Sequence, residues 1–162
     1  MTVAIHDHRH CIAGALSRAE AQCARAGARL TPIRRQVLEL VWRSHKPRGA
    51  YDILADLETE GGRAAAPLTV YRALDFLVAQ GLVHRLESLN AYIGCAQPGE
   101  GDEGGHSGQF LVCERCGNAT EVDDPAIAAA LDRSARAQGF RITRPTVEIR
   151  GICAGCAAAE AA

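Results

Sequence analysis

Apolar residues recur every three to four positions through the first half of the chain, which is the spacing of helices that bury one face. Gly27, Pro47 and Gly81 interrupt this pattern and mark helix ends. Thr31 followed by Pro32 suits an N-cap with a proline in the first turn. The predicted helices cover residues 12–26, Pro32 to about Ser44, a segment around 51–57, and residues 67–80.

Two short strands follow the fourth predicted helix directly. Residues 82–87 have the pattern of a strand, residues 88–90 that of a tight turn and residues 91–95 that of the returning strand. Helices followed at once by a hairpin predict a winged helix-turn-helix domain, which we place at residues 10–95. We expect a flexible tail at residues 1–9.

The composition changes after this hairpin. Residues 97–105 contain four Gly, one Pro and three acidic residues, so we expect a linker over residues 96–106. Beyond it, the pattern predicts short strands at 110–112 and 120–122, an Ala-rich helix at 125–138 and a long strand at 140–152. The predicted fold class is therefore α+β, with a small α/β domain over residues 107–162.

Composition and charge narrow the functional classes. The chain has 162 residues, of which 48% are hydrophobic and 23% charged, so it is typical of globular proteins. No apolar run reaches the ~18 residues of a membrane span, and the first residues lack the apolar core of a signal peptide, so we expect a cytoplasmic protein without membrane partners. Residues 1–90 carry 12 Lys/Arg against 9 Asp/Glu, whereas residues 91–162 carry 6 against 10. Only the first half is suited to face a polyanion.

The strongest chemical signal is a pair of Cys-x-x-Cys motifs. The chain contains seven Cys, and a reducing cytoplasm favours metal or redox sites over structural disulfides. Two such motifs, each with a small residue at or after the turn, predict a closed tetrahedral zinc site of four thiolates. Two independent redox pairs or an iron–sulfur cluster are the alternatives. The four ligands are Cys113, Cys116, Cys153 and Cys156.

The helix predicted at 67–80 carries a second signal. Thr69, Tyr71, Arg72 and Asp75 project from its polar face, which places a hydroxyl, an aromatic ring and a guanidinium near the helix N-terminus. These groups suit phosphates and base edges in a major groove. An amphipathic helix with a solvated polar face is the alternative.

Four metal-competent residues surround the linker. Each has an ordinary explanation as a surface strand residue, a small buried residue, a loop residue or a solvated carboxylate. Together they supply two imidazoles, one thiolate and one carboxylate, a mixed set suited to tetrahedral zinc. The four residues are His84, Cys95, His106 and Glu121.

From about Cys23 to Cys156 the chain resembles the ferric uptake regulator superfamily, most closely its zinc uptake regulator branch. The motifs that carry the resemblance are RLTPIR at 29–34, AYDIL at 50–54, TVYRALDFL at 69–77, GLVH at 81–84 and the two Cys pairs. The resemblance implies a homodimeric repressor with an N-terminal winged-helix DNA-binding domain and a C-terminal α/β dimerisation domain. It also implies two Zn²⁺ per chain, a structural one on the four Cys and a regulatory one on His84, Cys95, His106 and Glu121. Tyr51 is a further DNA contact by the same resemblance.

The zinc branch is favoured over iron, manganese or peroxide sensors of the same superfamily. Those relatives usually carry several His just before the first Cys pair, whereas GGHSG at 104–108 offers His106 alone. The sequence thus predicts a zinc-responsive repressor of zinc uptake genes that binds palindromic A·T-rich double-stranded operators as a zinc-loaded dimer.

Other classes fit less well. A zinc hydrolase or deaminase needs an open metal site with a general base, such as His-x-Glu before Pro-Cys-x-x-Cys, and the chain lacks that motif. We therefore expect no enzyme activity and no small organic substrate. A zinc-ribbon scaffold without DNA binding suits the acidic second half but leaves the winged-helix half unexplained.

Overall fold

The computed structural model describes residues 8–44, 46–61, 66–96, 108–143 and 145–160, which fold into two compact units at residues 1–99 and 100–162. These residues form helices and two three-stranded sheets, so the predicted α+β class is confirmed. The helices are α1 (His8–Arg25), α2 (Pro32–Trp42), α3 (Ala50–Gly61), α4 (Pro67–Ala79), α5 (Pro125–Ala137) and α6 (Ala154–Glu160). The strands are β1 (Arg48–Gly49), β2 (Val83–Leu86), β3 (Ala91–Gly94), β4 (Gly108–Cys113), β5 (Ala119–Val122) and β6 (Thr146–Gly151). None of the described helices is both long and apolar enough to cross a membrane.

The first unit is a helical core with a small sheet, the architecture of a winged helix-turn-helix domain. Its helices α1 to α4 bury the apolar stripes that the spacing predicts, and Leu82, Val83 and Tyr92 of the hairpin region join the same core. Leu38, Leu40 and Leu74 are almost fully buried there. Burying a side chain of this size contributes about 1.5–3 kcal/mol, so the apolar stripes drive the helices together.

Backbone conformation fixes where α4 passes into the hairpin. Gly81 adopts a φ of +65°, the left-handed conformation that ends helices, and Asn90 adopts a φ of +47° in the turn between β2 and β3. The strands β2 and β3 pair antiparallel, with His84 opposite Ile93. The register of this hairpin places His84 and the end of β3 at one end of the sheet.

The second unit is a sheet with strand order β5-β4-β6. β4 pairs antiparallel with β5 and parallel with β6, and Cys113 lies opposite Gly151 in the parallel pair. A parallel pair needs a crossover connection, and α5 lies in the chain between β5 and β6. Asp124 caps α5 by accepting a hydrogen bond of 2.8 Å from the Ala126 N–H.

Four elements differ from the sequence-based expectation, the first being β1, which forms where only a helix break was predicted. α1 begins at His8 rather than near Ile12, so the tail predicted at residues 1–9 overlaps it, and residues 1–7 lie outside the described part. β6 begins at Thr146 rather than at Phe140, because the Phe140 N–H donates back to Ala135 O at 2.9 Å and completes the end of α5. The Ala-rich C-terminal segment, for which no structure was predicted, forms α6.

Candidate metal centres and DNA-facing helix

Four sulfur atoms converge at one end of the second unit. The ligand atoms of Cys113, Cys116, Cys153 and Cys156 all lie within 4.8 Å of one another, and Cys116 Sγ lies 3.8 Å from Cys153 Sγ. In a tetrahedral site with Zn–S bonds of about 2.3 Å the sulfurs are about 3.8 Å apart. The spacing and the all-thiolate donor set therefore fit a closed zinc site.

The local backbone brings the first Cys pair into this arrangement. Gly117 adopts a φ of +70°, and its N–H donates to Cys113 O at 3.0 Å, which closes the turn after β4. The Cys113 N–H donates to Asn118 O at 2.8 Å. Both bonds bend the chain into a tight knuckle.

The parallel pairing of β4 and β6 places the second Cys pair beside the first. The Glu114 N–H donates to Gly151 O at 2.9 Å, so the ladder extends past the end of β4. The Cys153 N–H then donates to Cys113 Sγ at 3.4 Å, and Cys156 lies in the first turn of α6. Strand register, rather than sequence proximity, thus joins cysteines that are 40 residues apart.

Hydrogen bonds prepare this cluster for metal binding. Backbone N–H groups of Cys116 and then Cys153 lower the pKa of Cys113 to about 6, which favours a thiolate near neutral pH. Hydrogen bonding to Cys153 raises the pKa of Cys156, and burial of the thiol adds a smaller increase. Four adjacent sulfurs cannot all ionise without a compensating cation, and a divalent ion supplies that compensation.

Two ion pairs flank the cysteine cluster, and sequence reasoning did not identify them. Arg115 Nη1 donates to Cys156 O at 3.1 Å and lies 2.7 Å from a carboxylate oxygen of Glu160. Arg150 pairs with Glu114 at 3.1 Å. The sequence did offer one signal for these ion pairs, because Arg115 lies inside the first Cys-x-x-Cys motif. A site of four thiolates carries negative charge, which favours a basic residue beside it.

In the first unit, the hairpin brings together an imidazole and a thiol. The ligand atoms of His84 and Cys95 lie within 4.8 Å of each other, His84 being half-buried and Cys95 only 1% exposed. The Cys95 N–H donates to Leu82 O at 3.0 Å, which continues the ladder beyond β3. This donor pair suits zinc, whereas Fe²⁺ and Mn²⁺ favour oxygen and nitrogen ligands without a thiolate.

The other two predicted ligands belong to the chain after the hairpin. Glu121 lies in β5 opposite Phe110, within the second unit, and is half-buried. His106 lies outside the described residues.

Helix α4 exposes part of the polar face that its sequence predicts. Thr69 and Arg72 are exposed, and Arg72 makes no ion pair within the described part of the chain. Leu68, one turn before Arg72, is also exposed. Ala66 at the N-cap position gives no side-chain hydrogen bond, and its carbonyl accepts from the Thr69 N–H at 2.8 Å in the first turn of α4.

The two tyrosines differ in their surroundings. Tyr51, at the start of α3, is 68% exposed, whereas the Tyr71 ring packs partly against the helical core. Their ring centroids are 6.5 Å apart in an edge-to-face arrangement. Tyr71 therefore supports the exposed ring of Tyr51 and joins the start of α3 to α4.

Comparisons with known proteins give a consistent result. Residues 25–150 match the ferric uptake regulator family. The zinc uptake regulation protein of Escherichia coli strain K12 is 39% identical over 146 residues, which span 90% of this chain and 83% of that protein.

Solved structures resemble the chain as well. A zinc uptake regulator complexed with zinc and DNA is 36% identical with a TM-score of 0.85, and the match covers 93% of this chain and 98% of that one. The crystal structure of holo XcZur is 44% identical with a TM-score of 0.80, over 88% of this chain and 96% of that one.

Proposed function

The chain belongs to the ferric uptake regulator family, and on this premise we propose that it is a zinc-responsive transcriptional repressor of zinc uptake genes. The observation that carries the proposal is the pairing of imidazole and thiol at His84 and Cys95 in the hairpin of the first unit. A thiolate ligand favours zinc over the iron or manganese of the alternative sensors. The similarity to zinc uptake regulators in sequence and fold supports the same choice.

We assign the structural zinc to Cys113, Cys116, Cys153 and Cys156. Four thiolates would fill all four positions of a tetrahedral zinc ion, which would leave no position open for a substrate or for catalysis. These residues join the end of β4 to the start of α6, which makes metal binding part of folding in this unit. We assign the chain no enzyme activity.

We assign the regulatory zinc to His84, Cys95, His106 and Glu121, which makes two zinc ions per chain. His84 and Cys95 precede the Gly-rich segment of residues 97–105, and His106 and Glu121 follow it. When bound, the ion supplies a link across that segment. The four side chains thereby select a DNA-competent arrangement from the many that a Gly-rich segment allows.

Operator binding is assigned to α4. Arg72 would read a purine in the major groove, with Thr69 and Tyr71 contacting the backbone or a thymine methyl and Tyr51 adding a further contact. A two-fold dimer places two such helices about one helical turn apart, so the operator should be a palindrome. By reciprocity, operator DNA must tighten zinc binding by the same factor by which zinc tightens operator binding.

The second unit supports assembly as a homodimer. Leu111 in β4 and Ile149 in β6 are register partners and are 46% and 48% exposed. α5 contains no buried residue despite Ile127 and Leu131. Apolar side chains left exposed on neighbouring elements mark a protein interface, and a second copy of this unit provides the matching surface.

The test measures zinc content and operator binding together. Zinc per chain is determined while fluorescence anisotropy follows binding to an A·T-rich palindromic duplex, with and without a chelator that leaves the cysteine site loaded. The proposal expects two zinc ions per chain in the binding form and one in the non-binding form. Equal operator affinity in both forms would contradict it, and restoration by Fe²⁺ or Mn²⁺ but not Zn²⁺ would favour the alternative sensors.

A further inference from the structure

Gly94, the last residue of β3, lies directly against the indole ring of Trp42 at the end of α2. A Cβ atom at position 94 would lie 2.3 Å from Cε2, 2.4 Å from Nε1 and 2.8 Å from Cζ2 of Trp42. Non-bonded carbon atoms are in ordinary contact at about 3.5 Å, so the smallest side chain would require a displacement of about 1.2 Å. The backbone of β3 and the indole ring can be this close only because residue 94 is glycine.

Both sides of this contact are held by further interactions. Trp42 packs against the helical core of the first unit, and the guanidinium of Arg18 lies 5.9 Å from the centroid of its ring. The end of β3 is held by the pairing of Gly94 with Val83 and by the hydrogen bond from the Cys95 N–H to Leu82 O. A methyl group added at position 94 would therefore push the strand end and the indole apart, and any movement of the strand end carries the following residue with it.

Cys95 is the next residue, so it moves with the end of the strand. We propose that Gly94 and Trp42 are positioning residues for the metal-binding thiolate of Cys95: the indole is a fixed surface against which the end of β3 is set. The inference rests on the proposed function, in which Cys95 binds the regulatory zinc. Ligand distances at a zinc site tolerate only about ±0.2 Å, which is far smaller than the displacement that a side chain at position 94 imposes.

The contact between Gly94 and Trp42 links the metal ligand Cys95 to the helical core that contains α4. Trp42 ends α2, and the buried residues Val37, Leu38 and Val41 of that helix belong to the same core as Leu74 of α4. The position of the thiolate is thus set by the helical core of the DNA-binding unit as well as by the hairpin. A ligand placed in this way needs little reorganisation when zinc binds.

The test is a double-variant cycle in the full-length protein. Gly94→Ala introduces the clash, Trp42→Leu removes the three indole atoms that cause it, and the two changes are then combined. Gly49→Ala in β1 is the matched control, because that glycine lies in the same sheet and its added Cβ would meet only the flexible carboxylate of Asp52, 3.1 Å from Oδ2. Affinity for the second zinc is measured by competition with a chelator, and Co²⁺ absorption reports the ligand geometry at the site.

We expect Gly94→Ala to weaken binding of the second zinc by about 10- to 100-fold, the usual effect of altering groups that orient a metal ligand. The zinc of the cysteine site and the dimer mass should be unchanged. Trp42→Leu should weaken binding as well, because the strand end loses its support. The double variant should bind more tightly than Gly94→Ala, because its methyl group no longer meets an indole, and Gly49→Ala should bind as the wild type does.

Three outcomes would overturn the inference. The first is wild-type affinity for the second zinc in folded Gly94→Ala protein. The second is a folded double variant that binds no better than Gly94→Ala. The third applies if Gly94→Ala does not fold. The test then uses Trp42→Leu, and wild-type affinity for the second zinc in that variant would overturn the inference. A wild-type protein that binds only one zinc per chain would instead refute the proposed function on which the inference rests.

Discussion

Replacing Cys113 by Ser removes one of the four sulfurs that join β4 to α6, and we expect the second unit to unfold or the dimer to dissociate. Cys113 and Cys153 are 40 residues apart in sequence, and Cys116 and Cys153 are 37 apart. By the chain-entropy relation for cross-links, constraining a loop of this length contributes about 4 kcal/mol. The free energy of unfolding of a whole domain is about 5–15 kcal/mol.

The second unit has little else to offset such a loss. Neither α5 nor α6 contains a buried residue within the chain, and the buried apolar residues are concentrated in the first unit. Breaking the cross-link therefore removes a large fraction of the stability of this unit. The remaining three cysteines would bind zinc with an open position and lower affinity.

The assay combines zinc per chain, mass by light scattering and thermal unfolding. Cys11→Ser is the matched control, because Cys11 is a partly exposed residue of α1 outside both metal sites. Full zinc content, dimeric mass and an unchanged melting temperature in Cys113→Ser would refute the assignment of a structural zinc to these cysteines.

Three further variants separate the roles of α4, of the apolar face of the second unit and of Arg115. Arg72→Ala should lose about 1–3 kcal/mol of operator discrimination with two zinc ions still bound, and equal anisotropy titrations for variant and wild type would reject α4 as the recognition helix. Leu111→Glu puts a charge opposite Ile149 on the exposed apolar face of the second unit and should halve the mass measured by light scattering, whereas a dimeric variant would place the interface elsewhere. Arg115→Ala removes the contacts to Cys156 O and Glu160 and should release the structural zinc to a chelator about tenfold faster, and an unchanged release rate would show that these contacts do not support the site.

Much of the first unit could be predicted because its helices bury one face. The apolar spacing that ends at Gly81 predicts α4 to within a residue, since the glycine takes the conformation that stops a helix. β1 escaped prediction because a two-residue strand has no pattern of its own and exists through its pairing of Arg48 with Tyr92. Local periodicity therefore predicts helices that bury one apolar face. It misses strands that form only by pairing with a segment distant in sequence.

The second unit was less predictable for the same reason. α6 has no buried face, and only the helix propensity of its alanines signals it. The alternation after Gly139 predicted too long a strand, because a pattern cannot register that the Phe140 N–H is already bonded to Ala135 O.

The candidate sites show a similar division. The Cys-x-x-Cys spacing predicts a four-sulfur cluster, and the described geometry brings those sulfurs together. The contact of Gly94 with Trp42 carries no local signal, because it joins residues that are distant in sequence and depends on the absence of a side chain. The types of ligand can be predicted from the sequence, whereas the residues that position those ligands can be identified only from the three-dimensional structure.

In the proposed function, zinc bound through Cys95 controls operator binding, and the Cys95→Ser variant separates this role from that of the four-cysteine site. Operator affinity is measured against free zinc concentration for the wild type, Cys95→Ser and the Cys11→Ser control, with zinc content and dimer mass determined on the same samples. We expect Cys95→Ser to keep one zinc per chain and the dimer mass but to gain no operator affinity as zinc rises, whereas the wild type and Cys11→Ser both gain it. If Cys95→Ser gained operator affinity at the wild-type zinc concentration, zinc would not control operator binding through Cys95.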